Sequence, residues 1–358
     1  MCSSDRRTDA KHRRAQRNKM TIRTAILGYG RSGSTMHAGP VERNDAFAMI
    51  AVCDIDPERR KQAEQRFRCK TYTDYHEMLR KESLDLICVI TRSDQHAAMA
   101  CDCLAAGVNV LVTKPWATNV AEAQSMIAAE KASGAKLLPW LPARWGSDLR
   151  RLRELIGEGV IGKVFAVRRT VTSFGTRNDW QTERRCGGGY LLNWGPHIVD
   201  PPLLLAGSPV KSVYAQMRQT INPGDVEDLF MAVMTLADGT IVQAEFTIST
   251  EDMPDWIVQG VAGTIVVHGR DVRVHRSALA KPSDPTQFAS MKSEEDVLTE
   301  ETLDAEVYGD EHEIYAQIAA AIRGEEAFPV RPQDALGLSR VLDAIRASSE
   351  QNCVVSLS

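Results

Sequence analysis

Apolar residues are distributed along this chain in two ways. Between Thr21 and Trp140 they fall in short, nearly unbroken runs: one closing at Ile26-Leu27, then Phe47 to Cys53, Leu84 to Thr91, Val108 to Thr113 and Lys136 to Trp140. Runs of that length with little alternation mark strands buried on both faces, as in a parallel sheet. The stretches between them read as helices. Pro57 opens one that runs to Phe67, Thr73 caps one through Leu79, another spans His96 to Ala106, and Thr118 caps Asn119 to Ser133. A short strand, Lys70 to Tyr72, separates the first two. This alternation predicts a doubly wound parallel sheet over residues 21–142.

Beyond that point the pattern changes. Ser147 caps a helix to about Gly157, and strands then follow one another: Lys163 to Ser173, Lys211 to Thr220, and a hairpin of Leu229 to Leu236 with Thr240 to Ser249 around Ala237-Asp238-Gly239. Trp256 to Val261, Thr264 to Val267 and Val272 to His275 complete the set, and residues 276–309 are polar and read as loop. Strict alternation in Thr240-Ile-Val-Gln-Ala-Glu-Phe suits a sheet with one wet face. Helices over 310–323 and 333–349 precede a final strand at Cys353-Val-Val-Ser-Leu; both helices are expected to pack back onto the protein, the final helix and strand onto the first domain. The second domain, 143–358, is therefore α+β with a large, mostly antiparallel open sheet.

Composition narrows the function. A net charge of −4 over 358 residues gives no reason to expect nucleic acid or an anionic membrane as partner, and no apolar run approaches the roughly 20 residues of a membrane helix. Residues 1–20 carry seven Lys/Arg and two acids without an apolar core, which predicts a disordered basic tail rather than a signal sequence. Of the eight cysteines, Cys53 and Cys88 fall inside strands, and Cys101 and Cys103 point to different sides of a helix. They read as reduced thiols of a cytoplasmic protein, not as a disulfide framework or a metal site.

The candidate chemistry begins where the first strand ends. Gly28-Tyr29-Gly30-Arg31-Ser32-Gly33 follows that strand and opens a helix, and Asp54 closes the next strand 21 residues after Gly33. Gly28 allows the tight turn, Gly30 leaves the backbone open to a pyrophosphate, and Gly33 lets the helix lie against the sheet. The N–H groups at the helix start face the phosphates, and Asp54 accepts from the ribose hydroxyls of the adenosine. A carboxylate there repels a 2′-phosphate, so NAD is expected over NADP, with Arg59 and Arg60 near enough to soften the preference.

Two further segments carry residues suited to reaction. In Val112-Thr113-Lys114-Pro115 a lysine directly follows a buried strand. In Gly187 to Asp200, a glycine run leads into a stretch where Asn193 and His197 share one helical face at i and i+4. Pro201 and Pro202 lack the N–H groups that the carbonyls of His197 and Ile198 would need, so the helix should bend or loosen there. Arg177, Asp179 and Trp180 lie in the preceding loop and are candidates for binding a sugar, the indole against a ring face and the polar pair on hydroxyls. Trp116 and His96 are candidates for the cofactor's surroundings, whereas His37 and His76 read as structural.

Taken together, the glycine turn, the Thr91 to His96 element, the Lys114-Pro115 pair, the glycine-to-His197 segment and the late FPVRPQDAL stretch resemble the glucose–fructose oxidoreductase/inositol dehydrogenase/MocA-type family. The resemblance runs from Thr21 to Leu357 and implies a Rossmann domain followed by an α+β domain. It also implies a dehydrogenase of a sugar, polyol or cyclitol, with hydride passing to or from the nicotinamide. By that likeness Lys114 lies beside the reacting oxygen and His197 exchanges the hydroxyl proton, while Thr91, His96, Lys114 and Pro115 join the glycine turn in holding NAD. Two residues depart from the family pattern: Thr113 stands where a glutamate is usual, and Asn193 where an acid is usual. A carboxylate at 193 would raise the His197 pKa by about 1–3, which an amide does not do; Asp179 or Asp200 could stand in for it. A non-catalytic dinucleotide-binding regulator and an NAD-dependent glycosidase share the same fold and are the alternative readings. A homodimer or homotetramer through the second sheet is expected.

Overall fold

The computed structural model describes residues 21–279, 286, 288, 293–304 and 308–357; the basic tail expected over 1–20 lies outside them. The chain divides into two compact units, one of Met1–Trp140 with Asp310–Leu336, the other of Leu141–Gly309 with Gly337–Ser358. In the first unit six strands run parallel in the order β3-β2-β1-β4-β5-β6: β1 (Ile22–Leu27), β2 (Phe47–Cys53), β3 (Lys70–Tyr72), β4 (Leu86–Val89), β5 (Asn109–Val112) and β6 (Leu137–Pro139). All of β4 and all of β1 but Arg23 are buried, as the unbroken apolar runs require. The crossovers carry α1 (Ala38–Arg43), α2 (Pro57–Phe67), α3 (Tyr75–Lys81), α4 (His96–Ala105) and α5 (Val120–Ser133). The strand order reverses between β1 and β4, and the carboxyl ends at such a switch point form the crevice where ligands bind in this architecture.

Two expected caps move by one residue. Asp74, not Thr73, accepts the His76 amide at 2.9 Å, and Asn119, not Thr118, accepts the Glu122 amide at 3.0 Å. In each pair the longer carboxylate or amide side chain takes the position that the sequence also offered to a hydroxyl.

The second unit opens with α6 (Ser147–Gly157), which has Gly146 at its cap position and no side-chain cap; Ser147 is its first helical residue, not the cap. Its nine strands are ordered β14-β13-β12-β11-β7-β10-β9-β8-β15. They are β7 (Val164–Ser173), β8 (Val210–Arg218), β9 (Leu229–Leu236), β10 (Ile241–Ile248), β11 (Trp256–Gly260), β12 (Gly263–His268), β13 (Asp271–Leu279), β14 (Ser293–Thr302) and β15 (Val355–Ser356). Among the described residues of this sheet, only β7 and β10 pair in parallel. Alternation in β9 buries Phe230, Ala232, Met234 and Leu236, and α7 (Tyr190–Ile198) and α8 (Asp200–Ala206) pack on the sheet at β7 and β10.

Two expectations for this unit fail. The stretch 276–309 is not all loop, because β13 continues to Leu279 and β14 adds a full strand with Arg273 opposite Glu300. An outer strand that needs little burial can be built from charged residues, and its signal then looks like a loop. Residues 337–358, expected on the first domain, belong to the second unit, where the terminal strand β15 pairs with β8; α9 (Glu311–Arg323) belongs to the first unit. Ser348 and Ser349, late in α10 (Pro332–Gln351), accept the amides of Ala215 and Met217 and so hold that helix end to β8.

Tyr315 of α9 is fully buried among Phe47, Trp140 and His37, and its hydroxyl lies 2.9 Å from His37 Nδ1 and 3.5 Å from Cys88 Sγ. Burial pushes the His37 pKa down to about 3, so the ring is neutral and accepts the phenol proton on Nδ1. Tyr315→Phe should therefore destabilise the protein by about 1–3 kcal/mol, read as a lower denaturant midpoint, because it strands a buried acceptor. The unfolded ring takes a proton below about pH 6.5 and the folded one resists it down to about 3. Stability should thus fall on acidification through that window, and His37→Gln should make the decline shallower.

Candidate active site

In the first unit the glycine turn is built by three close approaches. Gly28 sits at φ +88°, and a Cβ on it would stand 2.5 Å from the Ile90 carbonyl oxygen just past β4. A Cβ on Gly33 would meet the Gly28 carbonyl oxygen at 2.1 Å, so the helix start lies directly on the turn. At Gly30, by contrast, a Cβ would meet only the tip of Arg59, at 3.5 Å. That backbone is open to a ligand, as a pyrophosphate requires, and the turn fits a dinucleotide. The helix begins with a π-helical turn, Gly33–His37, before α1, a departure that recurs at functional sites.

Asp54 closes β2 and is buried. One carboxylate oxygen accepts the Tyr29 amide of the turn at 2.7 Å and the other accepts the Asp56 amide at 2.9 Å. Arg59 stands 3.6 Å from the first oxygen and is half exposed, while Arg60 is tied to the carbonyls of Asp54 and Ile55. Tyr29 contributes only its backbone here; its ring is buried edge-on against Phe67. Arg31 is exposed, and its carbonyl accepts the hydroxyls of Ser34 and Thr35. Ser32 precedes the π-turn without capping it.

At the ends of the next two strands lie Thr91 and the Lys114-Pro115 turn. Lys114 is half-buried, the Lys114–Pro115 peptide is cis, and Trp116 is buried behind it. His96, the first residue of α4, is buried with Nδ1 2.7 Å from the Pro115 carbonyl and Nε2 3.0 Å from the Thr91 carbonyl. It thereby touches both the Thr91 segment and the Lys114-Pro115 turn.

In the second unit Asn193 and His197 lie one turn apart on α7. Glu227 covers the start of that helix: its carboxylate accepts the Leu191 amide at 3.0 Å and its carbonyl accepts the Tyr190 amide. Burial pushes the Glu227 carboxyl pKa up. At the other end the helix stops at Ile198 and α8 restarts at Asp200 with the two prolines in its first turn, so the interruption expected around His197 is present. His197 is buried with its ring 5.0 Å from that of Tyr308 and 6.1 Å from that of Trp194, centroid to centroid. Tyr308 carried no sequence signal, because it falls in a polar stretch without periodicity; burial pushes its phenol pKa up.

Neither proposed substitute for the missing acid is available as a lone carboxylate. Asp200 is held by both arms of Arg144 at 2.8 Å each, which answers its charge. Asp179 caps the short turn Trp180–Thr182 through the Gln181 amide and faces Arg177 at 3.3 Å. Arg177, Asp179 and half-buried Trp180 are thus brought together in one loop. That loop is tied to α7 through Asn222, which accepts the Arg177 amide at 2.6 Å and donates to the Tyr190 hydroxyl at 3.0 Å.

Comparison with known proteins agrees with the fold and with a dinucleotide-binding first unit. Residues 22–139 match the family model described as "Oxidoreductase family, NAD-binding Rossmann fold", and residues 149–266 match "GFO/IDH/MocA C-terminal domain". An uncharacterized oxidoreductase of Escherichia coli (strain K12), YdgJ, is 26% identical over 94% of this chain and 99% of its own length. The scyllo-inositol 2-dehydrogenase (NADP(+)) IolW of Bacillus subtilis (strain 168) is 24% identical over 96% of this chain and 98% of its own. Among solved structures, an NAD-binding protein from Listeria innocua superposes with a TM-score of 0.80 at 24% identity, covering 94% of this chain and 97% of that one.

The glycine turn makes the sharpest test of this half of the site. Gly33→Ala places a methyl 2.1 Å from a backbone oxygen that has no room to yield. The variant should lose NADH binding, read by fluorescence titration, together with a lowered melting temperature, whereas Gly30→Ala should keep its fold and lose only affinity.

Proposed function

We propose that this chain is an NAD-dependent dehydrogenase acting on a carbinol carbon of a sugar, polyol or cyclitol; it belongs to the GFO/IDH/MocA oxidoreductase family. The observation that carries the cofactor half is Asp54, a buried carboxylate fixed to the glycine turn by the Tyr29 amide beside the open backbone of Gly30. When bound, the nicotinamide takes up or gives the hydride. Lys114 polarises the substrate oxygen and answers the negative charge that grows there as the C–H bond breaks. His197 takes the hydroxyl proton in oxidation and returns it in reduction, a task for which an imidazole is suited near neutral pH. Asn193 orients the ring or binds a neighbouring hydroxyl, and Arg177, Asp179 and Trp180 read the rest of the sugar. NAD is the preferred cofactor because Asp54 repels a 2′-phosphate. Arg59 is the group that would admit one, and a relative named for NADP(+) makes that arginine the residue to vary.

A panel of sugars, inositols and sugar acids with NAD or NADP, read as absorbance of the reduced nucleotide, tests the proposal. Lys114→Ala and His197→Ala should each lower turnover by roughly 10²-fold or more while NADH still binds. Asn193→Asp should raise the His197 pKa and move the acid limb of the oxidation profile to higher pH. No turnover on any substrate with NAD still bound would favour a dinucleotide-binding regulator, and an unchanged rate in His197→Ala would remove it as proton carrier.

The second sheet supports an oligomer. Tyr214, Met231, Val233 and Ile241 are 42%, 44%, 38% and 49% exposed, and the strand register puts them on one face. Apolar side chains gathered this way on an open sheet suit a covered interface. The protein should sediment as a dimer or tetramer at micromolar concentration; a monomer there would count against the proposal.

A further inference from the structure

His96 is a second buried histidine that the chemistry above does not use, and its surroundings are unusual. Both ring nitrogens face backbone carbonyls: Nδ1 faces Pro115 at 2.7 Å and Nε2 faces Thr91 at 3.0 Å. Carbonyl oxygens only accept. A neutral imidazole has one N–H and one lone pair, so it satisfies one of these contacts and sets a lone pair against the other. The imidazolium, with two N–H groups, satisfies both. The two carbonyls belong to the segments that leave neighbouring strands β4 and β5, and one of them directly follows Lys114.

We propose that His96 is a positioning residue that, as a doubly donating imidazolium, locks the Lys114-Pro115 turn to the Thr91 segment and releases one of the two on losing a proton. Nδ1 has the shorter contact and keeps its proton, so the Thr91 carbonyl is the one set free. Burial is the strongest influence on the ring and holds its pKa below the ordinary histidine value, although the two carbonyls, Asp94 and Glu122 pull it up, so the doubly protonated ring forms only on acidification. Asp94 is answered by Arg92 at 3.1 Å, and Glu122 accepts the Thr118 amide at 2.8 Å. β4 presents only apolar side chains and β5 only Asn109 besides, and Lys114 is the cation in the clamped turn. The lock thus closes on acidification and opens as pH rises. Its bearing on turnover rests on the role proposed for Lys114, but the lock itself does not.

Histidine-ring and amide ¹⁵N spectra of the wild type and His96→Gln, taken from about pH 5 to about pH 8, test it. One ring signal, absent from the variant, should carry two protons at the acid end and lose one as pH rises. The amides of Arg92 and of Thr113, Lys114 and Trp116 should shift with the same midpoint in the wild type and lose that shift in His96→Gln. A ring singly protonated throughout would overturn the lock, as would amides that titrate unchanged in the variant. Should the glutamine variant fail to fold, the ring signal of the wild type and its coupling to those amides decide the matter alone. NADH titrated into the same samples keeps the two proposals apart. Absence of binding at every pH would sink the dehydrogenase reading, whereas the coupled titration would still support the lock.

Discussion

A single 2.7 Å hydrogen bond, from the Tyr29 amide to Asp54, closes the glycine turn onto the end of the neighbouring strand. A buried carboxylate is costly unless its oxygens are used, and here the backbone of the turn, the Asp56 amide and the Arg59 guanidinium use them. Gly28 meanwhile presses on the Ile90 carbonyl, which brings the end of β4 against the same turn. The ends of β1, β2 and β4 are in this way fixed together by backbone contacts that tolerate no side chain at Gly28 or Gly33. The acid that would read the ribose is also a structural part of the loop that would hold the phosphates. Removing it costs geometry as well as a ligand.

The helix bearing Asn193 and His197 is fixed by a different principle. Its first turn is covered by the Glu227 carboxylate and anchored through Tyr190 to Asn222, and its last turn is cut off where Pro201 and Pro202 withhold their amides. His197 therefore sits in the terminal turn of the helix. Arg144 and Asp200 close a buried ion pair on the next helix, and such a pair is strongly destabilising to break from one side.

Much of this was legible in the order of residues. The parallel strands of the first unit are buried on both faces, so their apolar runs announce them, and the glycine turn with Asp54 at its distance is a local pattern. The prolines after His197 predicted a break because their effect reaches only four residues back. What stayed hidden depends on partners far along the chain. Glu227 reaches Leu191 across 36 residues and Arg144 reaches Asp200 across 56, and no periodicity records such pairings. β14 was hidden for another reason: an outer strand lined with Glu and Thr reads like a loop until Arg273 and its neighbours lie beside it. The position of His96 at a helix start points to the strand ends, but that both its nitrogens face carbonyls depends on the folded backbone of two distant segments.

The substitution at position 193 carries a consequence for charge. α7 contains no acid, Asp200 is bound by Arg144, and Asp179 is engaged with Arg177 in its own loop. In the proposed reaction Lys114 answers the negative charge developing on oxygen, and α7 itself supplies no carboxylate to His197. The terminal carbonyls of α7 add negative potential at that end of the helix, and they act within about one turn. If His197 carries the proton as proposed, the prolines that end α7 at Ile198 also set the helix turn on which it sits.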